Sequence, residues 1–172
     1  MIVAFLLAVG LFAGAQADEP SPTPATAGPV TVGEAVSATV GAGTSSAVHV
    51  PVRVADGHRV QANPASNKFL VPLELDIDDR EAFVFGSPVY PKGEPYLLEG
   101  ADEPLMTYVG EFEVIVPVAA DEKAAPGEHI VPGELHYQAC NSRMCLFPAS
   151  IPFELRVIVS EQGEVPKKEE SE

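Results

Sequence analysis

The chain has no tryptophan, and aromatic residues make up only 7% of it. A core built from it must therefore use Val, Leu, Ile, Ala and a few Phe. Basic residues are also scarce: Lys and Arg number 10 against 25 Asp and Glu, for a formal net charge of -15. Nucleic-acid binding needs a basic surface, so that class of partner is excluded. The same field repels anionic membrane surfaces and keeps the protein soluble. No stretch of ten or more residues carries a clear helical stripe of apolar positions, which argues against helical architectures. Cysteine is limited to two residues, Cys140 and Cys145. That is too few for a disulfide-stapled miniprotein and enough for one bridge.

What the chain does have begins with its first residues. Positions 1–17, MIVAFLLAVGLFAGAQA, are almost wholly apolar and end in Ala15-Gln16-Ala17. An apolar run followed by a small-x-small site reads as a cleaved signal peptide. Its charged region rests on the amino terminus alone, and an uncleaved anchor is the alternative. No stop-transfer segment follows, so no membrane span is expected after cleavage. The protein is then periplasmic or secreted, where disulfides form and persist. Positions 18–29, DEPSPTPATAGP, read as an extended linker. The charged stretch from Ser160 to Glu172 reads as a disordered tail. One folded domain is expected over 30–159.

Inside that domain the dominant period is two. Val48, Val50, Val52 and Val54 alternate with His49, Pro51 and Arg53. Phe112, Val114, Val116 and Val118 form a second such run. Ile151, Phe153, Leu155, Val157 and Val159 form a third. Each is a strand with one face on a core and one towards water. Weaker strands are expected over Val36–Val40, Arg59–Gln61, Phe69–Ile77 and Ile130–Cys140. Turn signals such as Asp56-Gly57, Asn63-Pro64 and Pro126-Gly127 separate them. Seven or more short strands so punctuated predict an all-β, immunoglobulin-like antiparallel β-sandwich. Pro51, Pro72, Pro117 and Pro152 should sit at edges or bulges, because each lacks a ladder donor.

The segment 135–153 carries the chemistry. Leu135, Tyr137 and Ala139 should face one side of a strand, and His136, Gln138 and Cys140 the other. Asn141-Ser142-Arg143-Met144 then forms a tight loop, and Cys145 opens the returning segment. Residues flanking such a loop are cross-strand neighbours, with Cα atoms about 4.5–5.5 Å apart. That lies within reach of a disulfide. Spacing leaves its role open. As a staple it closes a loop of about six residues, worth roughly 2 kcal/mol by chain entropy. As a reactive pair it lies near a loop tip, where Arg143 favours a thiolate and the chain's negative field opposes one. A copper site from His136, Cys140, Met144 and Cys145 is a third reading. It lacks the second His of a blue-copper centre unless His49, His58 or His129 supplies it. Asp76, Asp78 and Asp79 lack the Gly and terminal Glu of a calcium loop and read as a solvated strand end.

Tyr137-Gln138-Ala139-Cys140, the short loop, Cys145 and Pro148 resemble the N-terminal periplasmic domain of the thiol:disulfide interchange protein DsbD. Ala55–His58, Val60–Pro64 and Val89–Gly93 extend the resemblance over roughly residues 32–159. The resemblance implies an immunoglobulin-like sandwich whose cysteines cycle between dithiol and disulfide, as a protein-disulfide reductase without a cofactor or metal. It implies thioredoxin-fold partners, disulfide isomerase-like or thioredoxin-like. Tyr137, Gln138 and Arg143 are expected near the site. Glu99–Tyr108 matches the family's cap loop, with Asp102 and Glu103 as its acidic pair. Where better-known members place a shielding aromatic, this chain has Pro104, Leu105 and Met106, and Leu105 is the candidate shield. The loop between the cysteines is one residue shorter. No C-x-x-C motif, membrane domain or thioredoxin domain occurs in the sequence, so separate proteins are expected to reduce and use the pair. The alternative is a non-enzymatic immunoglobulin-like binding module with a structural disulfide.

Overall fold

A computed structural model describes residues 25–33, 37–78 and 80–160. The signal-peptide and tail expectations fall outside these residues, apart from Ser160. The described residues form thirteen strands and no helix. They are β1 (Ala25–Ala27), β2 (Val30–Val32), β3 (Ser37–Gly41), β4 (Ser45–Val54), β5 (Arg59–Gln61), β6 (Glu74–Ile77) and β7 (Phe83–Phe85). Then come β8 (Glu94–Tyr96), β9 (Leu105–Tyr108), β10 (Glu111–Ala120), β11 (Gly127–Tyr137), β12 (Ala139–Cys140) and β13 (Ala149–Ser160). Among the described residues pairing starts at Ala25, within the stretch read as a linker.

The architecture is the expected all-β, immunoglobulin-like sandwich. One sheet has the order β1-β2-β4-β10-β7, and a second β3-β13-β11-β6. A third, small sheet, β12-β5-β9-β8, carries the cysteine segment. All pairs are antiparallel except β3 with β13. The alternating runs supply the core, because every second residue of a strand points to the same face. Val48, Val50, Val52 and Val54 of β4 lie beside Val114, Val116 and Val118 of β10 on one face of their shared sheet, and join Leu155, Val157 and Val159 of β13 in one buried cluster. Each such buried side chain stabilises the fold by about 1.5–3 kcal/mol.

Pro51 and Pro117 lie in interior strands, not at edges as expected. The reason is local. The carbonyl of Pro51 accepts from Gly33 N, just past the end of β2, and that of Pro117 accepts from Gly86 N, just past β7. In an antiparallel strand a residue's N–H and C=O point to the same neighbour. The missing donors therefore face places where the neighbouring strand has ended. Phe69–Ile77 is a strand only from Glu74. Asn67 closes a turn instead, its Oδ1 accepting from Phe69 N and its carbonyl from Leu70 N, and Pro72 interrupts the chain before Glu74.

Candidate functional site

The strand Ile130–Cys140 expected from the sequence is broken at Gln138, and the break makes the site. β11 pairs with β13 and β6, whereas β12 pairs with β5. Gln138 holds the crossing. Its Oε1 accepts from Val71 N at 2.9 Å, its Nε2 donates to Leu146 O at 3.0 Å, and its carbonyl accepts from Gln61 N at 3.0 Å. After the crossing both Ala139 and Cys140 are buried. The simple alternation that would have left Cys140 on the outer face stops at the sheet boundary.

Cys140 and Cys145 form a disulfide. The hairpin around it is closed by Asn141 N to Met144 O at 2.9 Å and Leu146 N to Ala139 O at 2.7 Å. The cysteines are thus the non-hydrogen-bonded pair between two bonded ones, the closer kind of antiparallel pair. Their Cα atoms are 3.8 Å apart, nearer than the 4.5–5.5 Å expected from the spacing. Asn141 tightens the turn with its side chain. Its Oδ1 accepts from both Arg143 N and Met144 N at 2.9 Å. This is the local bonding that makes Asn a turn residue.

The two sulfurs are not equivalent. Cys140 is 0% exposed, while Cys145 is half-buried at the start of the returning segment. Met144 and Phe147 on either side of Cys145 expose 58% and 94% of their surface.

One polar side chain meets both sulfurs. Gln61 Nε2 donates to Cys140 Sγ at 3.1 Å and reaches Cys145 Sγ at 3.6 Å. Register explains the contact. Cys140 lies opposite Arg59, and directly opposed residues share a face of the sheet. Gln61, two residues on, is the diagonal neighbour on that face. Gln61 is itself 0% exposed, and its Oε1 has no hydrogen-bond partner among the described residues.

The chain is similar to the N-terminal domain of DsbD. The solved structure of that domain in reduced form, from Neisseria meningitidis, shares 23% identity over 66% of this chain and 79% of its own, with a TM-score of 0.43. The N-terminal periplasmic domain of ScsB from Proteus mirabilis shares 12% identity over 73% of this chain and 44% of its own, with a TM-score of 0.46. The periplasmic chaperone SfaE shares 15% identity over 82% of this chain and 61% of its own, with a TM-score of 0.31. This chain therefore spans less than half of the ScsB chain. No family model and no curated protein matches it.

The structure also places the remaining residues expected at the site. Tyr137 is buried at the end of β11, and burial pushes its hydroxyl pKa up. Arg143 is exposed at the loop tip. The stretch matched to the DsbD cap is two things, not one. Asp102 and Glu103 are exposed in a bend, whereas Leu105 is half-buried and opens β9 opposite Tyr96. One hydrogen bond joins the bend to the cysteine loop, from Glu99 N to Ser142 O at 3.4 Å. Beside that loop a hollow of about 290 Å³ is lined by residues that include Arg59, Tyr96 and Ser142. The Arg59 guanidinium lies 3.9 Å from the Tyr96 ring centre. No group of three or more metal-ligating side chains occurs among the described residues, so His136 does not join the sulfurs as a ligand set. It lies instead 3.6 Å from Asp76 and from Glu134.

Gln61 is a site residue that the sequence pattern did not single out. A usable signal was present: an uncharged polar side chain between Val60 and Ala62, in a strand short enough to be buried on both faces. Buried amides need partners, and the cysteine segment was the polar partner on offer.

Proposed function

We propose that this chain is an extracytoplasmic thiol–disulfide exchange module that passes electrons to or from thioredoxin-fold proteins through Cys140 and Cys145. The observation that carries the proposal is the asymmetry of the pair. Cys140 is fully buried with its sulfur 3.1 Å from an amide donor, whereas Cys145 is half-buried at the start of the returning segment and has the longer contact of 3.6 Å. Exchange needs one sulfur that a partner can attack and one that stays behind to resolve the mixed disulfide. Cys145 takes the first role and Cys140 the second. No cofactor enters the step.

The surroundings favour a protein as the reacting partner. Met144 and Phe147, close to Cys145 in the chain, expose apolar side chains of the kind that interface cores use. The bend around Asp102 and Glu103, tied to the loop through Glu99, acts as a cover, with Leu105 anchoring its far end in the sheet. Export through residues 1–17, with cleavage after Ala17, puts the pair in an oxidising compartment. Among the described residues no helix is long and apolar enough to cross a membrane.

The second reading is a structural bridge. It is favoured by the full burial of Cys140, whereas the hairpin's own hydrogen bonds at Asn141 and Leu146 already hold the loop closed and leave a staple little to add. A redox titration separates the two. A potential of roughly -230 to -120 mV is expected for an exchanging pair, and a value below about -300 mV makes the bridge structural.

A further inference from the structure

Exchange at the cysteines leaves the amide between them without a role. Gln61 is fully buried, donates to both sulfurs, and keeps one polar atom unpartnered. A buried acceptor without a partner is costly, so its presence beside the only reactive bond calls for a reason. The oxidised pair explains half of the arrangement. Neither sulfur of a disulfide carries hydrogen, so only the donor end of the amide can bond to them. Opening the bond explains why a donor is placed there, because a thiolate then takes the position of one sulfur.

We propose that Gln61 is a catalytic group for exchange at this pair, holding Cys140 Sγ as a thiolate when the disulfide opens at Cys145. A partner thiolate attacks Cys145 Sγ. A bond forms between the partner's sulfur and Cys145 as the Cys140–Cys145 bond breaks, and the bonding electron pair stays on Cys140 Sγ. Gln61 Nε2–H, already 3.1 Å from that sulfur, becomes a charge-assisted donor without moving. In the opposite direction the Cys140 thiolate attacks Cys145 Sγ of a mixed disulfide and expels the partner as a thiolate. The 3.6 Å contact to Cys145 is the weaker one, so the amide directs charge to the buried sulfur. A better-stabilised leaving thiolate leaves faster, so exposure and leaving-group quality both select attack at Cys145.

The inference rests on the exchange reading, yet it can be tested apart from it. In full-length Cys145→Ser, Cys140 is the sole thiol, and its ionisation can be followed by far-ultraviolet thiolate absorbance against pH. Adding Gln61→Leu removes the donor. At a given pH the ratio of thiolate to thiol should fall about tenfold. With both cysteines present, Gln61→Leu should also slow reduction by dithiothreitol by a similar factor. Gln61→Met keeps the side chain's length without a donor and carries the test if the Leu variant does not fold. An amide that merely fills space would lower thermal stability and leave the titration unmoved, and an unmoved titration in the folded variant overturns the proposal. The exchange reading has its own control, since the Cys140→Ser variant either does or does not trap a thioredoxin-fold partner. A shifted titration without trapping sinks that reading and leaves the Gln61–Cys140 interaction standing as a thiolate contact only, which also overturns its catalytic role.

Discussion

Replacing Gln138 by Ala should be among the most damaging single changes to a half-exposed residue. Its side chain makes two hydrogen bonds across the point where the chain leaves one sheet for another, to Val71 N and to Leu146 O. Each contributes roughly 0.5–1.5 kcal/mol net, and more where truncation strands a buried partner. Both partners are backbone groups close to the surface, so water recovers part of the loss. The expected cost is about 2 kcal/mol, or a fall in Tm of roughly 5–10 °C for a domain of this size. Gln138→Glu keeps the acceptor for Val71 and loses the donor to Leu146, so it should cost about half as much at neutral pH. Urea denaturation with the disulfide intact measures both. Leu146 comes directly after Cys145, so the Ala variant should also be reduced faster by dithiothreitol. A loss below about 0.5 kcal/mol in the Ala variant would show that the sheet crossing does not depend on this side chain.

The same geometry fixes three further outcomes. A Cβ on Gly133 would lie 2.6 Å from Phe153 Cζ and 3.1 Å from Asp76 O, so Gly133→Ala should destabilise by about 1–3 kcal/mol, and adding Phe153→Leu should recover part of it in the same denaturation assay. Burial holds the hydroxyl pKa values of Tyr90, Tyr108 and Tyr137 above the ordinary 10.0. The unfolded chain then loses these protons first, so their stabilisation is full below pH 10 and is lost as pH rises through the folded-state values. Tyr108→Phe, which also removes the hydroxyl's bonds to Asn63, should cost about 1 kcal/mol at neutral pH and flatten the decline seen in alkaline thermal melts. Deleting residues 100–104, which spares β9, should speed reduction of the disulfide by dithiothreitol severalfold, and an unchanged rate would mean that the bend does not guard the sulfurs.

The long strands were legible because their signal repeats. Four valines at every second position in β4, and matching runs in β10 and β13, leave one arrangement that buries them all. The expected strand at Arg59–Gln61 coincides with β5. The sheet that carries the site was mostly not legible. Its strands have two to four residues, too few for a period to show, and β8 and β9 owe their existence to partners rather than to their own pattern. The cysteine hairpin was read from its spacing. What spacing could not convey was the sheet change at Gln138, which buries Cys140, or the diagonal that brings Gln61 to the sulfurs. Both depend on register between segments far apart in sequence, and a strand's own residues do not encode its register with a distant partner.

The most direct measurement of the central claim is covalent trapping. Cys140→Ser leaves Cys145 at the hairpin tip without the thiol that would resolve a mixed disulfide. Incubated with an oxidised thioredoxin-fold protein, it should accumulate a covalent complex on a non-reducing gel, which dithiothreitol releases. Cys145→Ser should not, since its remaining sulfur is buried. Trapping by Cys145→Ser alone would reverse the roles of the two sulfurs, and trapping by neither, with both variants merely less stable, would contradict exchange and leave the bridge a structural one.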